Sequence, residues 1–209
     1  PSTPLRDAIK EADKEVKGGK YIIKSMIKAV EEEFNYLDER FADIQMLRYR
    51  LPEFSKLTLD QKQLIYCLSK ATLYGRDITF DQFGKYNLRI RKMLETIYVY
   101  VQRDRFSDQK ILFSDQRGNN NSQRNKLEDE YNGLEQYLKQ VWFASGIYHH
   151  YACDKFAPLF SETFLREVTM KIDPKLLPLK EGESVEAMLD ELCPIIFNLT
   201  ILPKRVNKS

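Results

Sequence analysis

Apolar side chains recur every three or four residues along most of this chain, a period that fits an α-helix rather than a strand. From 21 to 50 the series Ile23, Ile27, Val30, Phe34, Leu37, Phe41, Ile44 and Leu47 keeps that spacing. It predicts one amphipathic helix, or two in tandem, closed at Leu51-Pro52 because the residue before proline avoids the α region. Before it, Pro4 can open a charge-rich helix that stops at Gly18-Gly19. The stretch "TLDQ" (58–61) reads as a capping box, in which Thr58 and Gln61 exchange side-chain and backbone hydrogen bonds. The helix it starts carries Leu64, Cys67, Leu68 and Ala71 on one face and ends at Gly75, expected in the left-handed conformation. "GRDITFDQFGKYN" then reads as a polar-aromatic connection with a short extended piece at Ile78–Phe80. Asn87 is expected to cap a further helix whose buried stripe is Ile90, Met93, Leu94, Ile97 and Val101.

Residues 103–127 interrupt the period. "DQRGNNNSQRNK" is rich in Asn, Gln, Ser and Arg, and reads as an exposed, mobile polar loop. Helical spacing resumes with Leu134, Tyr137, Leu138, Val141, Trp142 and Ser145, up to Gly146. Ser161 caps a helix holding Phe164, Leu165 and Val168, and Ser184 caps one holding Val185, Met188, Leu189 and Leu192. "DPKLLPLKEGES" between them reads as an extended connector, and Pro194 should end or kink the last helix. The expectation is a mainly α, multi-helix domain with few short strands, one helical domain over 1–209. The apolar tail "IIFNLTILPKRVN" has the look of a chain that expects more chain.

A hydrophobic fraction of 43% with 31% charged residues is that of a globular protein able to build a core. The net charge of +2, with no long Lys/Arg block, gives no nucleic-acid footprint. No apolar run approaches the roughly 18 residues of a membrane span. Cys67, Cys153 and Cys193 are far apart and form no C-x-x-C pair, so buried free thiols are expected. Free thiols and balanced charge suit the cytoplasm, whereas a removed export signal would leave the same residues.

The suspicious stretch is "GIYHHYACDKFAP" (146–158), which holds both histidines, one cysteine, an aspartate and two tyrosines. His149 and His150 are adjacent and so point different ways on any regular element, unlike the i, i+4 ligands of a helical zinc site. His149 and Cys153 have that spacing, but Gly146 should already have ended the helix. A self-sufficient metal site on His149, His150 and Cys153, a Cys–His nucleophile, a contact surface and a packed turn all remain open, the last being the bland reading. Asp77 beside Arg76 reads as a local ion pair; Asp81, Asp38 and Glu39 lack apolar surroundings that would make them acid/base groups.

Four stretches in order resemble a known family. They are "FADIQMLRYRLPEF" (41–54), "LTLDQKQLIYCLSKATLYGRDITFDQFGKYNLRIRKMLE" (57–95), "VWFASGIYHHYACDKFAPLF" (141–160) and "LKEGESVEAMLDELCPIIFNLTILPKRVN" (179–207). They are similar to the N-terminal part of dipeptidyl peptidase III in its bacterial, Bacteroidetes-type form. The animal enzymes share a G-x-Y-x-x-[FY]-x-x-x-K-F-x-P stretch, which Gly146, Tyr148, Tyr151, Lys155, Phe156 and Pro158 resemble; this chain departs from the animal pattern at His149, His150 and Cys153. The resemblance implies a two-lobed zinc metallopeptidase that removes dipeptides from peptide N-termini. The family's H-E-x-x-G-H and E-E-x-R-A-[ED] patterns are missing from this sequence. The implied reading is therefore an N-terminal lobe portion with no catalytic residue and no metal ligand of its own, the zinc belonging to the full-length parent. His150 and Tyr151 would contact the peptide substrate together with the missing C-terminal lobe. The rival expectation is a non-catalytic helical interaction or scaffold module.

Overall fold

The computed structural model describes residues 34–106 and 121–205, with backbone alone for 106 and 121–124. The chain divides into a small unit, 34–40 with 44–51, and a larger helical unit, 41–43 with 52–205.

The small unit corrects part of the predicted 21–50 helix. Residues 34–50 form a hairpin of β1 (Leu37–Phe41) and β2 (Ile44–Leu47), while 21–33 lie outside the described residues. Arg48 N–H donates to Tyr36 O at 2.8 Å, and Gln45 Nε2 reaches Asp38 O and Glu39 O. The guanidinium of Arg50 lies 4.6 Å from the Phe34 ring centroid. The reversal at Ala42-Asp43 puts Ala42 at φ 48, a conformation hairpins normally give to Asn, Asp or Gly. With none of the usual turn residues at that position, the apolar spacing alone mimicked a helix.

In the larger unit a single 3-10 turn (Pro52–Lys56) leads to α1 (Leu59–Tyr74). The capping box is present as expected: Gln61 N–H donates to Thr58 Oγ1 at 3.3 Å and Thr58 N–H to Gln61 Oε1 at 2.9 Å. The predicted buried face is not buried; none of the helix's residues is. Gly75 is right-handed, with φ −76 and ψ −12, so the chain runs on into α2 (Arg76–Phe83). The expected extended piece at Ile78–Phe80 is therefore helical, and Phe80 is fully buried. Gly75 O accepts from Thr79 N–H at 3.4 Å, so the glycine joins two helices instead of ending one.

The core lies between α3 (Asn87–Phe106) and α4 (Asn121–Ala144). Ile90, Met93, Leu94, Ile97 and Val101 of α3 meet a stripe of Tyr131, Leu134, Tyr137, Leu138 and Val141 on α4, all at most 1% exposed. Burying each aliphatic side chain of this size contributes roughly 1.5–3 kcal/mol. Both ends of the polar stretch 103–127 are helical, since α3 runs to Phe106 and α4 begins at Asn121; residues 107–120 lie outside the described residues. Gly133 lets the chain pass against α4, because a Cβ there would lie 2.4 Å from Leu159 O.

Ser161 caps α5 (Glu162–Thr169), donating its own N–H and Oγ–H to the Glu130 carboxylate at 2.6 and 2.8 Å. The connector to α6 (Val185–Phe197) contains one 3-10 turn, Pro174–Leu176. Arg89 ties it to α3 by donating to Pro178 O at 3.0 Å and pairing with Glu183 and Glu191. Ser184 caps α6, whose apolar face is buried as expected. Pro194 does not end that helix, which continues three residues further; Asn198 N–H still reaches Pro194 O at 3.1 Å. Of the three free thiols only Cys193 is buried; Cys67 is exposed and Cys153 half-buried. The mainly α architecture with one small sheet stands, and no helix among the described residues is long and apolar enough to cross a membrane.

Candidate functional site

α4 stops at Ala144 because Ser145 takes φ 55, and the chain leaves the helix at Gly146. Phe156 N–H then pairs with Ile147 O at 2.9 Å, and His149 N–H with Asp154 O at 2.7 Å, making a narrow stem. Cys153 N–H closes the tip onto His149 O at 3.0 Å, with Cys153 at φ 61. The stretch 146–158 is thus a tight turn on a two-strand stem.

His149 supports the turn from inside. Its Nδ1 accepts from the amides of Tyr151 (3.2 Å) and Ala152 (3.1 Å), which leaves the proton on Nε2, facing Asp43 Oδ2 at 3.3 Å. Both ring nitrogens are engaged, so a ligand role would first have to break the turn. His150 packs its ring edge-on to Phe143 (4.9 Å) and 4.2 Å from Tyr151, whose side chain is 85% exposed. The structure therefore brings His150 and Tyr151 together at the tip. The thiol of Cys153 contacts Tyr151 O at 3.6 Å and lies 3.9 Å from the Arg205 guanidinium. Among the described residues no three His, Cys, Asp or Glu side chains group as metal ligands.

The residue that sequence reasoning passed over is Lys155. Its ammonium donates to Ile195 O at 2.8 Å, Asn198 O at 3.0 Å and Ile201 O, gathering the carbonyls at the end of α6. Desolvation lowers its pKa below the ordinary lysine range. The tail joins the same arrangement. Lys155 N–H donates to Pro203 O at 3.1 Å, Arg205 N–H to Cys153 O at 2.9 Å, and Tyr148 Oη to Leu202 O at 3.1 Å. The only sequence hint was its place in the K-F-x-P part of the resemblance.

Among the carboxylates, Asp77 does not pair with Arg76. It holds Arg91 at 2.5 Å and Lys92 at 3.3 Å, and the Arg91 hydrogen bond keeps its carboxyl below the usual range. Arg91 is 3% exposed and lies over the Phe80 ring at 4.6 Å, so this pair locks α2 to α3. Asp38 and Glu39 are exposed on β1.

No protein-family model matches the chain, and no curated protein matches it significantly.

Proposed function

We propose that this chain is an N-terminal lobe portion of a dipeptidyl peptidase III-type zinc peptidase, contributing one wall of the substrate cleft and inactive alone. The resemblance of four ordered stretches motivates the reading. The observation that carries it is the tip of the 146–158 turn, where an exposed Tyr151 ring sits against His150 on a stem held by backbone pairing and Lys155. Tyr151 offers a peptide a ring face and a hydroxyl, and a rigid stem limits the entropy lost on contact. In this reading the zinc is held by the rest of the parent enzyme. The chain's own part is to hold peptide, fix its register and exclude water when the lobes close.

Two measurements test this. The isolated chain, given zinc and a dipeptidyl-arylamide, should show no turnover; zinc-dependent hydrolysis would refute the placement of the catalytic centre elsewhere. The native reading frame should continue past Ser209 into an H-E-x-x-G-H pattern, and in that longer enzyme Tyr151→Ala should raise KM more than it lowers kcat.

A second reading, a non-catalytic helical interaction module, draws on α1. Leu64 and Leu68 there are 59% and 56% exposed, an apolar surface of the kind that marks association. A reading frame that stops near Ser209 would favour it.

A further inference from the structure

A cavity of about 360 Å³ lies away from the tip of the turn, between the 83–87 segment, Ile147-Tyr148 and the tail at 202–205. Among the described residues its walls carry three cations, Lys85, Lys204 and Arg205, and no acidic residue. Phe83, Ile147 and Leu202 supply apolar surface. Lys204 is shared with Asp154 at 3.2 Å, and the Arg205 guanidinium lies over the Phe83 ring at 4.5 Å. Lys85 Nζ sits 5.1 Å from the Tyr86 ring centroid.

Two lining residues hold buried donors with nothing to accept from them among the described residues: Asn87 Nδ2 and Arg205 Nε. Asn87 is 1% exposed, and its orientation is fixed because Oδ1 takes the Ile147 N–H at 3.3 Å. The bare Cα of Gly146 makes room for that amide; a Cβ there would lie 2.3 Å from Nδ2. An unpaired buried N–H costs about 1–3 kcal/mol, and both of these belong to residues that line this cavity. Asn87 also opens α3, whose N-terminal dipole adds positive potential on the same side. A lining of cations and apolar surface, with no carboxylate among the described residues, suits a compact apolar body bearing an anionic acceptor.

We propose that this cavity binds a carboxylate carried on a small apolar group, either a free small molecule or the C-terminal residue of a peptide. The proposal does not depend on the peptidase reading.

The test is a titration of the full 209-residue chain at low ionic strength, following the backbone amide signals of Ile147 and Tyr148 by NMR. Phenylacetate should give saturable shifts, and neutral phenylacetamide should bind at least about tenfold more weakly. A short peptide ending in phenylalanine, as free acid and as amide, separates the two sources. Binding of the peptide acid as well as phenylacetate assigns peptide termini, and binding of phenylacetate alone assigns a free metabolite-sized acid. Arg205→Gln should weaken phenylacetate about fivefold or more. Lys85→Gln, at an exposed position, repeats the test if the first variant disturbs the tail. Absence of saturable shifts with either acid, equal response to acid and amide, or unchanged affinity in folded variants would overturn the assignment.

Discussion

α1 and α3 carry the same kind of sequence pattern and meet opposite fates. Each has leucines and other apolar residues three or four apart, and each invites the prediction of a buried face. In α3 the whole stripe is at most 1% exposed, whereas α1 buries no residue despite its complete capping box. The difference lies in what faces them. α3 is met along its length by α4 and touched by α2 and α5, while among the described residues α1 packs closely only against α2. Periodicity reports that a helix owns an apolar face; it does not report that another element arrives to cover it.

The contrast can be broken in several ways, beginning with the largest effect. Leu94→Ala should lower the unfolding free energy by about 2–5 kcal/mol in urea titration, since the side chain is wholly enclosed. Leu68→Ala on α1 should stay within about 0.5 kcal/mol of wild type in the same titration. A large loss at Leu68 would mean that α1 is covered in solution. Next, Gly133→Ala should cost about 1–3 kcal/mol, because its new Cβ would lie 2.4 Å from the Leu159 carbonyl. Thr58→Ala should remove about 1 kcal/mol from α1 alone, read as faster amide exchange there and unchanged protection in α3.

Thiol labelling sharpens the comparison without a large energy change. Cys67 on α1 should react with a thiol reagent in the native state, while Cys193 should wait for unfolding. Burial also pushes the Cys193 thiol up to about 11, so moderate alkali should not expose a thiolate there. The smallest effect concerns acid. Asp77's carboxyl lies below its ordinary value of 3.8, chiefly through Arg91. Its contribution is therefore fully present above that value and is lost as pH falls through the lowered one. Asp77→Asn should flatten that acid limb of the stability curve, measured by thermal melts between about pH 2 and pH 5.

The parts of the fold legible in sequence are those fixed by short-range chemistry. Thr58, Ser161 and Ser184 cap where expected, and the stripes of α3, α5 and α6 are buried as read, as is that of α4 up to Val141, whereas Trp142 is 38% exposed and Ser145 lies past the helix end. What was illegible depends on distant partners or on an unusual backbone. Asn87 reads as a local cap, yet its side chain serves Ile147, sixty residues on. Gly75 reads as a stop, but nothing required φ to be positive there, and the helix resumed. The hairpin at 37–47 turns on an alanine at φ 48, which no turn signal marks. At the candidate site the adjacency of the histidines suggested that they diverge, yet their ring centroids lie 4.5 Å apart, because the tight turn is not a regular element. That His149 would spend Nδ1 on two backbone amides could not be read from spacing.

The Lys155 ammonium has a consequence in time as well as in space. Two of its three carbonyl acceptors, Asn198 and Ile201, come more than forty residues later in the chain. During synthesis the 146–158 turn therefore emerges long before the groups that receive its lysine, and a half-buried cation cannot settle without them. The turn is local in sequence, but its lysine is satisfied only by carbonyls forty or more residues further along the chain.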